Sequence, residues 1–145
     1  MFADFIARLI DPQPEPLPDQ DARLALSALL VRIARADGDY SPQEVQRIDA
    51  ILQNRFNLGE TAAKALRAQA EVLEAEAPDT VRFTKAIKGA VPYEDRRAVV
   101  GSLWSVVLAD GERAQEEDAL LRLTASLLGV NDRDSALARQ QAAQE

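Results

Sequence analysis

From Asp19 to about residue 128, large apolar side chains recur every three or four positions, the spacing that gathers them on one face of an α-helix. No stretch sustains the period-two alternation of a half-buried strand, so the pattern predicts an all-α chain. A first helix over about 20–37 carries Leu26, Leu29, Leu30 and Ile33, with Leu24, Ala28 and Val31 widening the face. A second, over about 42–57, carries Val45, Ile48, Leu52 and Phe56 and stops at Asn57 to Gly59. An alanine-rich helix from Glu60 to about Ala77 sets Leu66 and Leu73 one heptad apart and is closed by Pro78. Asp79 is placed to cap the next helix, which holds Val81, Phe83, Ile87 and Val91. Pro92 opens another, containing Val99, Val100, Leu103, Trp104, Val106, Val107 and Leu108. Apolar on nearly every side, it is expected to be the central and most buried element. The last periodic segment, about 115–128, shows Leu120, Leu123 and Leu127; Gly129 to Asp132 then leads to a tail whose one large apolar residue is Leu137, and 136–145 is expected to fray.

The start of the chain is organised differently. Phe2, Phe5, Ile6, Leu9 and Ile10 share a helical spacing, giving an amphipathic helix over 1–10. Residues 11–19 follow as a linker with prolines at 12, 14, 16 and 18, which remove backbone donors and favour an extended tether. About ten residues are marginal as an isolated helix, so this start needs a surface to dock on: the body of the chain itself, a protein partner or a membrane.

Composition narrows the chemistry. The 145 residues contain no cysteine and no histidine, which removes disulfides, thiol nucleophiles, Ser-His-Asp relays and ordinary zinc or haem ligation. With 17 basic and 24 acidic side chains the net charge is −7, against generic nucleic-acid binding. No apolar run reaches the ~18 to 20 residues of a membrane-spanning helix, and the opening, lacking a basic start, is a poor secretory signal. The expected address is the cytoplasm, with peripheral membrane attachment as the alternative. One region opposes the overall charge: Arg82, Lys85, Lys88, Arg96 and Arg97 outnumber Glu94 and Asp95, offering a solvated helix surface or a docking patch for an acidic partner or anionic lipid.

The most informative feature is an internal repeat. Ala36-Asp37-Gly38-Asp39 recurs 73 residues later as Ala109-Asp110-Gly111-Glu112, followed at the same offset by Glu44 and Glu117. Upstream the match extends to Leu26/Val99, Leu30/Leu103 and Ile33/Val106, so the unit is helix, tight turn, helix. With Pro92-Tyr93-Glu94-Asp95-Arg96 opening the helix before the second turn, the chain over about 20–135 resembles the TerB-like, or tellurite-resistance B, helical domains of bacteria. The resemblance implies a compact bundle of about seven helices, a metal or ion association of the acidic turns and a stress-response setting.

Helix ends explain part of each turn. Gly38 and Gly111 suit left-handed C-caps, and Ser41-Pro42-Gln43-Glu44 is a full capping box with proline at the first helical position. The second copy, Ala114-Gln115-Glu116-Glu117, has no capping hydroxyl yet keeps its acid. Asp37 and Asp110 fall at helix carboxyl ends, where the macrodipole disfavours negative charge by a few tenths to ~1 kcal/mol. Nearby Arg32, Arg35 or Arg113 could compensate. So could a cation held by Asp37, Asp39 and Glu44 in one turn and Asp110, Glu112 and Glu117 in the other, an all-oxygen set suited to calcium, magnesium or manganese. The spacing is not that of an EF-hand.

The leading expectation is a monomeric, non-enzymatic module that binds or senses a divalent cation and docks partners through a helical face, the N-terminal helix and the basic patch. A carboxylate-only metal hydrolase and a purely structural adaptor are the alternatives. No catalytic or organic-cofactor residues stand out, and Trp104, among valines and leucines, reads as core.

Overall fold

The computed structural model describes residues 19–36, 38–76, 80–109 and 115–144. The expected N-terminal helix and nearly all of its linker lie outside them. The described chain is all-α: α1 (Asp19–Ala34), α2 (Pro42–Phe56), α3 (Glu60–Glu76), α4 (Thr80–Ala90), α5 (Tyr93–Val107), α6 (Gln115–Leu127) and α7 (Asp132–Ala143). Among these residues no helix is long and apolar enough to cross a membrane.

Local chemistry sets the helix limits. Gly38 takes φ +83° after α1, a conformation that costs glycine little. Ser41 caps α2 in the expected box: the Glu44 N–H donates to Ser41 Oγ at 3.2 Å, and the Ser41 N–H donates to Glu44 Oε1 at 3.0 Å. Asn57 ends α2 in the left-handed region, and the Leu58 N–H returns to the Gln53 carbonyl at 3.0 Å.

Two helices run through the middle. The expectation of a single central helix at α5 is corrected by α1, where every residue from Ala25 to Val31, then Ile33 and Ala34, is buried. Small side chains at Ala25, Ser27, Ala28 and Ala34 let neighbours approach on all sides, a contribution that large-residue periodicity underweights. Helix α1 packs on α2, α3, α4, α5 and α6, and α5 packs on α1, α2, α4, α6 and α7. Phe83 and Ile87 of α4 point into this core, whereas Val81 is exposed.

Helix α6 is rotated from its expected face. Leu123 is 54% exposed, and the buried stripe is Glu117, Leu121, Thr124, Ala125 and Leu128. The inward face therefore carries an acid and a hydroxyl, with Thr124 Oγ1 donating to the Leu120 carbonyl at 2.7 Å.

The C-terminal stretch corrects the reading of 136–145 as a frayed tail, since α7 continues to Ala143 and lies along α5. Asn131 caps it, its Oδ1 accepting from the Asp134 N–H at 2.8 Å. The inward positions are small: Ser135, Ala138 and Ala142 face α5, where Gly101 leaves just enough room, a Cβ there falling 3.9 Å from that of Ala138. Ser135 Oγ also accepts the Trp104 Nε1–H at 3.2 Å, and the Arg139 guanidinium lies 5.5 Å from the indole ring. Close packing of small residues, not large apolar ones, holds this helix.

Candidate metal centre

The six acids predicted as ligands divide into two groups. Asp37, Asp110 and Glu112 lie outside the described residues. Asp39 is exposed at the first turn, while Glu44 and Glu117 are each 1% exposed, at matching positions of the repeat. Among the described residues no group of three or more acidic, histidine or cysteine side chains is arranged to hold an ion.

Glu44 is the informative side chain. Its Oε1 closes the capping box, but its Oε2 is buried without a hydrogen-bond partner among the described residues. An anionic oxygen removed from water normally has a donor or cation beside it, because desolvation without compensation costs several kcal/mol. The cap thus accounts for one oxygen and leaves the other with chemistry to spare. The oxygen chemistry of that carboxylate suits a hard divalent ion, although the described residues supply no group of three such ligands.

The first turn rests on a polar network that sequence spacing does not announce. Arg35 Nη1 donates to Glu74 Oε1 at 2.9 Å and to the Glu71 carbonyl at 3.2 Å; Arg32 reaches Glu74 Oε2 and the Glu74 carbonyl, each at 3.1 Å. These arginines, which the sequence offers as compensation for Asp37, thereby serve the last turn of α3, where cations complement the helix carbonyls. Arg67 pairs with Asp49 at 2.6 Å and with Glu71 at 3.3 Å, tying α2 to α3. Tyr40 lies under the Arg35 guanidinium, 5.1 Å from ring centroid to carbon. Burial first, then the neighbouring Glu71 carboxylate, pushes its phenol well above the ordinary tyrosine range. The available signal was Tyr40 itself, an aromatic residue inside an otherwise small, polar turn.

The basic patch is not one free face. Lys85 and Lys88 are exposed on α4, where Arg82 also sits, but Arg96 Nη1 donates to the Leu128 carbonyl at 2.6 Å. Arg97 faces Glu94 at 3.4 Å and Asp134 at 3.8 Å. Lys88 and Arg96 also crowd Gly129 at φ +75°, where an added Cβ would fall 2.9 Å from Arg96 Nη1. Part of the patch therefore stabilises the carboxyl end of α6.

Compared with known proteins, the chain matches the family described as Tellurite resistance protein TerB over residues 23–140. Searches of curated proteins and of solved structures find no match.

Proposed function

Since the chain belongs to the TerB family, we propose that it is a non-enzymatic helical module of a bacterial stress response whose acidic turns bind a divalent cation and whose helical surface docks a partner. The observation that carries this reading is Glu44: a carboxylate 1% exposed, with one oxygen in the helix cap and the other without a hydrogen-bond partner among the described residues. Glu117 adds support, being equally buried at the same offset from the second turn although no capping hydroxyl precedes it. In this reading Asp37, Asp39 and Glu44 hold an ion at the first turn, and Asp110, Glu112 and Glu117 at the second. The ion supplies the positive charge that carboxylates at helix carboxyl ends require.

Binding to the folded state alone raises stability by mass action. At ten times Kd the gain is about 1.4 kcal/mol for each ion bound, which for a chain of this size lifts Tm by about 5 °C per ion. Thermal melts with calcium, magnesium or manganese, each against a chelated control, measure it. The Asp37→Asn/Asp110→Asn protein should lose the cation-dependent rise while melting slightly higher than wild type without metal, because repulsion at the helix ends is relieved. Equal melts with and without every cation would remove the basis of the proposal.

A further inference from the structure

Helices α2 and α7 both pack on α5 and scarcely touch each other, and a cleft of about 580 Å³ opens between them. That volume falls within the ~300 to 1,000 Å³ of sites that hold small organic molecules. Small residues make the opening: α5 contributes Ala98, Gly101 and Ser102 to the floor, and a Cβ at Gly101 would already touch that of Ala138 at 3.9 Å. On the walls, Ile51 offers apolar contact, while Asn54 of α2 and Gln141 of α7 bring amide donors and acceptors from opposite sides. Two arginines border the cleft, and they differ. Arg97 already faces Glu94 at 3.4 Å and Asp134 at 3.8 Å. Arg55, half-buried, makes no hydrogen bond, ion pair or ring contact among the described residues. Its place in the last turn of α2 complements the helix carbonyls, but a charge reaching into water would do that equally well. Burial lowers its pKa, and Asp95 opposes this only through space. A carboxylate offered to this guanidinium gains two parallel charge-assisted hydrogen bonds in partly desolvated surroundings.

We propose that this cleft binds a small organic anion, its carboxylate held by Arg55 and its uncharged, hydrogen-bonding body lying between Asn54 and Gln141 over the Ala98 and Gly101 floor. The net charge of −7 favours a small ligand over a nucleic acid or an acidic protein surface, because a polyanion is repelled by the whole chain whereas one carboxylate needs only the local cation. The amides and the apolar floor favour an organic body over a bare oxyanion, which would use neither. The seat lies at the carboxyl end of α2, away from Glu44 in its first turn, and does not depend on the cation reading.

Nitrogen–proton NMR of the full chain, titrated with N-acetylglycine, glutarate and citrate and separately with inorganic phosphate, tests the proposal. At millimolar concentration at least one carboxylate should shift the Asn54 and Gln141 side-chain amides and the Arg55 Nε–H, while the amides of Ser41 and Glu44 stay in place. Arg55→Gln should weaken that binding about tenfold or more, yet melt like wild type without ligand because no internal contact of the guanidinium is lost. Ala98→Phe, at an exposed position of the floor, should block binding with the arginine intact. Side chains of the cleft that ignore every carboxylate would overturn the proposal, as would shifts that persist unchanged in Arg55→Gln. Phosphate binding as tightly as the best carboxylate would also overturn it, since a bare oxyanion makes no use of the amide and apolar walls.

Discussion

Replacing Leu103 with aspartate should abolish the cooperative unfolding transition. Leu103 is completely buried in α5, one of the two helices that every other part of the core packs around. Removing a buried leucine side chain alone costs about 2 to 5 kcal/mol, and an unpaired carboxylate in its place adds several more. The sum matches the whole stability of a domain this size, about 5 to 15 kcal/mol. Circular dichroism at the helical minimum against temperature measures it. An unchanged melt would mean that α5 is not in the core and that the architecture is wrong.

Removing α7 should be nearly as damaging, although its composition looks dispensable. The helix covers Trp104, which is 3% exposed, and accepts its indole N–H through Ser135. It also ties down the start of α5, where Tyr93 Oη donates to Asp134 Oδ2 at 2.6 Å. Uncovering an indole of roughly 200 Å² forfeits about 5 kcal/mol at 25 cal/mol per Å², an upper figure because the face re-exposed is only part of the ring. A protein ending at Asn131 should therefore melt far below the full chain. The emission of the single tryptophan should also shift to the red, reporting directly on the uncovered site. Unaltered emission and melting would make α7 an appendage.

The contrast between these helices explains what could be read from the sequence. Most helix limits were legible because they are local: Pro42 after Ser41, Asn57 in a left-handed cap and Pro92 before α5 each act on the few residues beside them. Faces were legible where large apolar residues do the packing, as with Ile48 and Leu52 or Phe83 and Ile87. They were misread where they do not. Helix α6 turns Glu117 and Thr124 inward and leaves Leu123 outside, and α7 packs through serine and alanine, which carry little periodic signal. The capping half of the candidate site was legible at Ser41 and Glu44 because both partners lie within four residues. The network of Tyr40, Arg35, Arg67, Asp49, Glu71 and Glu74 was not, since its pairs are set by how α1 and α2 dock on α3. Nor does spacing show that the cap engages one oxygen of Glu44 and leaves the other buried without a hydrogen-bond partner among the described residues.

Titration calorimetry comparing the wild-type chain with Glu44→Gln tests the central claim most directly, because glutamine can still close the capping box while lacking the anionic oxygen a cation needs. Wild type is expected to bind calcium, magnesium or manganese at millimolar concentration or below. Glu44→Gln should fold and melt like metal-free wild type but show much weaker binding heat. Wild-type protein that shows no divalent binding at millimolar concentration, or Glu44→Gln protein that binds as wild type does, would contradict it and leave Glu44 a helix cap.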